Sequence, residues 1–130
     1  MLKKTITYVD FAGIQRTEDF YFNLTDAELA QFELRTEGGF KEMIERITNA
    51  KSQLELVELF DRLIMASYGV KSADGRRFVK NDAVREEFRS TQAYSDLYME
   101  LVTDSKKAAD FFNAIVTNRK TPAVAVAPTT

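Results

Sequence analysis

The sequence predicts an α+β fold: an N-terminal β-hairpin followed by a bundle of five or six α-helices and a flexible C-terminal tail. Three observations predict it. The first residues alternate polar and apolar, as a strand with one buried face does. From residue 25 onward apolar residues recur at helical spacing, between helix-capping signals. The end of the chain, "TNRKTPAVAVAPTT", holds two prolines and small side chains without period, a composition that buries no core. The expected layout is one domain over 1–117, with the hairpin at 2–24 and helices from 26 to 116, and a tail over 118–130.

In "LKKTITYV", Leu2, Lys4, Ile6 and Tyr8 share one face, and Lys3, Thr5, Thr7 and Val9 the other. In "IQRTEDFYFNL", Phe20, Phe22 and Leu24 fall on one side. Between them "DFAG" supplies an Asp to start a turn and a Gly for positive φ. A lone hairpin is marginal in water, so this one must lie on the helices or add to a second copy's sheet. Thr25 with Glu28 forms a capping box, Leu24 serves as the staple, and Leu29, Phe32 and Leu34 follow as the apolar positions. Phe40, Met43, Ile44 and Ile47 make the stripe of a second helix. Ser52 with Glu55 caps a third, "QLELVELFDRLIMASY", apolar on so wide an arc that it belongs at the centre, with Gly69 as its terminator. Asn81 caps a short helix carrying Val84, Glu87 and Phe88. Tyr94, Leu97, Tyr98 and Leu101 mark the next, and Ala108, Phe111, Phe112 and Ile115 the last.

Composition excludes several chemistries. The chain has no Cys and no His, which removes thiolate sites, imidazole bases and common zinc sites. A net charge of -2 gives no global attraction to polyanions. Glu42, Glu45, Glu86 and Glu87 lie opposite apolar stripes, where a solvated helix face carries its charges. No catalytic residue, metal site or cofactor is expected. No run approaches the roughly 20 apolar residues that span a bilayer, and the N-terminus alternates where a signal peptide would be apolar. A cytosolic protein is expected, with neither membrane nor nucleic acid as partner.

The loop "YGVKSADGRRFVK" gathers Lys71, Arg76, Arg77 and Lys80 around a turn. It lacks the spacing of a phosphate-binding P-loop. Ser72 to Gly75 read as a tight turn flanked by Val70 and Phe78 in a small hairpin, with Phe78 anchoring it in the core. Tyr94, Tyr98, Phe111 and Phe112 stand on apolar faces without interleaved cations, which favours packing or a protein-binding groove over base stacking.

The order of "ITYVDFAGIQRTEDFYFNLTDAEL", "YGVKSADGRRFVK" and "EEFRSTQAYSDLYMELVTDSKKAADFFNAIV" resembles the tail assembly chaperones of long-tailed, siphovirus-type phages of Gram-positive bacteria. The resemblance spans residues 5–116. It implies a non-catalytic homo-oligomer that coats the tape measure protein in the host cytoplasm, gives way to tail tube protein, and is absent from the mature virion. Phe20, Phe22, Arg76, Arg77, Tyr94, Tyr98, Phe111 and Phe112 are then the candidate partner-binding residues. The rival readings are a small structural virion protein, of tail or capsid, and a nucleic-acid-binding regulator using Lys71, Arg76, Arg77 and Lys80.

Overall fold

The N-terminal alternation folds into two antiparallel strands, β1 (Leu2–Val9) and β2 (Gln15–Phe22), with Leu2 facing Phe22 and Val9 facing Gln15. The computed structural model describes residues 1–49 and 53–117; the cap expected at Ser52 and the tail over 118–130 lie outside the described residues. Asp10 builds the turn. One carboxylate oxygen accepts from the backbone N–H of Ala12 and of Ile14, each at 2.9 Å, and the other takes Arg16 Nε at 2.5 Å. Gly13 closes it at φ 81°, where any Cβ is strained. One face of the ribbon is polar, with Thr5 donating to Asp19 at 2.6 Å and Thr7 meeting Thr17 at 2.9 Å. The other buries Ile6, Tyr8, Phe20 and Phe22 against helices.

Among the described residues six helices follow: α1 (Asp26–Arg35), α2 (Gly39–Asn49), α3 (Gln53–Ser67), α4 (Asp82–Arg89), α5 (Gln92–Thr103) and α6 (Ser105–Thr117). The capping box at Thr25 and Glu28 forms in both directions, and Asn81 and Thr91 cap α4 and α5. α5 lies under β1, and Lys4 reaches Glu100 at 2.8 Å across that contact. α3 is central, with Phe60, Leu63 and Ile64 fully buried; each such side chain contributes roughly 1.5–3 kcal/mol by leaving water. Leu34, expected on the apolar side of α1, is instead 86% exposed. Leu29 and Phe32 are buried, and the stripe they set leaves Leu34 on the outer face.

Two short strands, β3 (Tyr68–Lys71) and β4 (Phe78–Val79), complete a sheet of order β1-β2-β3-β4. The small hairpin expected around the Ser72–Gly75 turn is therefore present. It also joins the first hairpin, with Tyr21 facing Gly69 and Phe22 facing Tyr68. Phe78 does not enter the core as expected. It stays half-buried and lays its ring over Gly69.

That contact corrects the role of Gly69. It is a strand residue, not a left-handed helix terminator, and Tyr68 before it is already extended. A Cβ here would stand 2.6 Å from the Phe78 ring and 2.9 Å from the Lys80 stem, so glycine serves close approach. α3 ends by other means. The last four carbonyls of a helix have no partner within it, and here each finds one outside the ladder. Ser67 Oγ, bonded chiefly to Leu63 O at 2.6 Å, also reaches Ile64 O at 3.4 Å; Arg85 Nε donates to Met65 O at 2.8 Å, Lys80 Nζ to Ala66 O at 3.1 Å, and the Asn23 N–H to Ser67 O at 2.8 Å. Two of the donors are cations, which the negative end of the helix dipole favours.

Candidate partner-binding surfaces

The eight residues singled out by sequence separate into three places. Phe20, Phe22, Phe111 and Phe112 are in the core, with at most 9% of their surface exposed. Phe22 meets Phe111 edge-on at 5.4 Å, and Phe112 meets Phe40 at 5.5 Å. In this fold none of the four presents a face to a partner, because neighbouring helices and strands already cover them.

Tyr94 and Tyr98 are half-buried and stacked on each other at 5.8 Å. Their hydroxyls are engaged: Tyr94 donates to Asp61, and Tyr98 to Val57 O at 3.0 Å. Arg89 completes the group, 2.9 Å from Asp61 and over the Tyr94 ring. Burial pushes the Tyr94 hydroxyl well above its ordinary value, and the bond to Asp61 adds to that shift. The cluster ties α3, α4 and α5 together and leaves Arg89 and Asp61 partly exposed at its surface.

Arg76 and Arg77 are on the surface. Their loop is held by its own polar groups: Ser72 Oγ donates to Asp74 at 2.7 Å, Asp74 accepts the Arg76 N–H at 3.1 Å, and Gly75 turns at φ 73°. Neither guanidinium meets an acidic side chain among the described residues, and Glu42, Glu45, Glu86 and Glu87 are exposed elsewhere. The other two cations of the stretch are committed. Lys71 sits 4.3 Å over the Tyr21 ring. Lys80, whose side chain is 9% exposed, bonds Asn23 O at 2.8 Å and Glu28 at 2.7 Å besides Ala66 O. A four-cation phosphate site is therefore reduced to two free arginines.

Lys80 also shapes the response to acid. Burial pushes the Glu28 carboxyl up, but the hydrogen bonds from Lys80 and from the Thr25 N–H outweigh it and hold the group below its ordinary value. The Ser72 hydroxyl likewise holds Asp74 low, and Arg16 holds Asp10 low. A carboxyl whose value is depressed in the fold stabilises above its unfolded value, and that contribution is lost as pH falls through the folded one. The melting temperature is expected to decline below about pH 4.5, and less steeply in Glu28→Gln. An identical acid limb in that variant, followed by circular dichroism, would count against the Lys80–Glu28 pair.

A surface that the sequence reading passed over lies at the first hairpin's tip. Phe11 is 79% exposed, and Val9 and Ile14 are about half exposed beside it. The available signal was a bulky apolar residue inside a turn that has no opposite strand residue to pack on. Leu34 and Met99 add exposed apolar points on α1 and α5.

Among the described residues no helix is long and apolar enough to cross a membrane, and no group of three acidic side chains is placed to hold a metal ion. No curated protein and no solved structure matches the chain. A family profile described as phage tail assembly chaperone does, over residues 1–121. That match takes in both hairpins and all six helices, and the chain belongs to the phage tail assembly chaperone family.

Proposed function

We propose that the protein shields the tape measure protein of a long-tailed phage before the tail tube forms around it. It acts without catalysis in the host cytoplasm, several copies to one client. Tail tube protein displaces it, and it is absent from the finished virion. The observation that carries this reading is family membership over residues 1–121. The surface agrees with it: Phe11, Leu34 and Met99 stand apart as exposed apolar points, suited to many weak contacts along a helical client.

Co-expression with the tape measure protein of the same phage tests the reading. The client is expected to become soluble and to co-purify. A client that stays insoluble, or a chaperone found by mass spectrometry in purified virions, would favour a structural subunit instead. Arg76→Glu with Arg77→Glu is expected to leave the melting temperature unchanged, since neither guanidinium has an acidic side-chain partner among the described residues. Client capture should weaken by roughly three- to tenfold, the size of a rim-charge effect. Unchanged capture would return the loop to a plain connector.

A further inference from the structure

Among the described residues no backbone group is bonded to the outer edge of β1. The Asp10 N–H donates to Ile14 O at 2.9 Å, and the ladder pairs even-numbered residues of β1 with even-numbered residues of β2. In an antiparallel ladder hydrogen-bonded pairs alternate, so the even positions of β1 bond to β2. The backbone groups of Lys3, Thr5, Thr7 and Val9 point away from the sheet. On β2 the odd positions point outward, and β3 takes up Tyr21 while Asn23 bonds to Ser67. The rest of that edge, Gln15 to Asp19, carries Arg16, Glu18 and Asp19. Natural proteins protect open edges with charge, proline or a bulge. Residues 5–9, "TITYV", have none of these and are rich in β-branched side chains.

We propose that β1 pairs antiparallel with β1 of a second copy across a two-fold axis, giving one continuous sheet of eight strands. Face matching restricts the register, because a shift by one residue would set buried against exposed side chains. Registers centred on Lys3 or Lys4 place like charges opposite each other and are disfavoured. Registers centred on Thr5 or on Ile6 avoid this, and of the two only the register centred on Thr5 sets Val9 opposite an apolar residue. It sets Lys3 opposite Thr7, Lys4 opposite Ile6, Leu2 opposite Tyr8 and the exposed Val9 opposite Met1. Each outward-facing residue meets an outward-facing partner, so every free backbone group from Lys3 to Val9 gains a bond. Val9 gains apolar cover that the single copy lacks. The pairing deepens the reading that several copies act together, but it is a property of the protein alone and is tested without a client.

The test uses the full chain in analytical ultracentrifugation at high micromolar concentration. Wild type is expected to sediment at twice the monomer mass. Thr5→Pro removes only an outward N–H and the exposed Asp19 bond, so it should keep the circular dichroism spectrum and sediment as a monomer. Thr5→Ala, which lacks the hydroxyl but keeps the N–H, should remain a dimer. The chain has no Cys, so Thr5→Cys adds a lone reporter. Facing Cα atoms about 5.5 Å apart lie within disulfide reach, and Cys at position 5 should link two copies under mild oxidation, whereas Thr7→Cys should not. A monomeric wild type, a dimer indifferent to Thr5→Pro, or equal linking at positions 5 and 7 would overturn the proposal. Should Thr5→Pro fail to fold, the two cysteine variants decide.

Discussion

Phe88→Ala is expected to lower unfolding stability by about 3–5 kcal/mol, the usual cost of deleting a buried ring. Phe88 is 2% exposed and stacks on Tyr68 at 4.2 Å. It also touches Phe20 at 5.1 Å, Tyr94 at 5.6 Å and Phe22 at 6.1 Å. One ring thus joins the first hairpin, β3, α4 and α5, and its loss opens a cavity on four sides that rigid neighbours cannot collapse to fill. Domains of this kind hold roughly 5–15 kcal/mol in total, so the variant should be close to unfolding at body temperature. Urea denaturation measures the effect; a loss below about 1 kcal/mol would mean that the neighbouring rings repack.

Lys80→Met is expected to rank second, at about 2–3 kcal/mol. Methionine keeps the apolar stem but leaves Asn23 O and Ala66 O without their donor, and each unsatisfied buried carbonyl costs about 1–3 kcal/mol, less where water can reach it. Glu28 is more than a third exposed, so its share is small. Glu28→Gln, which keeps a side-chain oxygen for the Thr25 N–H, should therefore cost well under half as much. The comparison separates two accounts of Lys80. If both variants lose the same stability, the ion pair is the main contribution; if Lys80→Met loses far more, closure of the α3 carbonyls is.

Local chemistry was readable from the sequence wherever one residue determines it. Asp10 and Gly13 specified the first turn, Thr25 with Glu28 and Asn81 specified helix starts, and the apolar stripes specified which helix faces are covered. Long-range pairing was not readable. β3 and β4 are too short to show a period, and nothing near Gly69 announces that Tyr21 will lie beside it. Lys80 looked like one more cation of a basic loop, because its acceptors come from Asn23, Glu28 and Ala66, far apart in the chain. The burial of four of the eight candidate residues was hidden for a related reason. Spacing identifies the apolar face that holds Phe111 and Phe112 but not what covers it, and the same stripe would serve a core or a groove. Phe11 was overlooked because turn residues read as connectors.

The end of α3 has a consequence for the order in which the chain becomes complete. Its last carbonyls wait for donors from both directions: Asn23 has already left the ribosome when Ser67 is made, whereas Lys80 and Arg85 come 14 and 20 residues after the carbonyls they cover. During synthesis the helix can therefore form early but stays open at one end until α4 emerges. The first hairpin faces the same delay, since Phe88 fills the space beside Phe20 and Phe22. A nascent chain halted before residue 80 exposes the uncovered inner face of a ribbon and an unfinished helix end. Emergence of α4, more than the growth of α3 itself, closes both the helix end and the inner face of the ribbon.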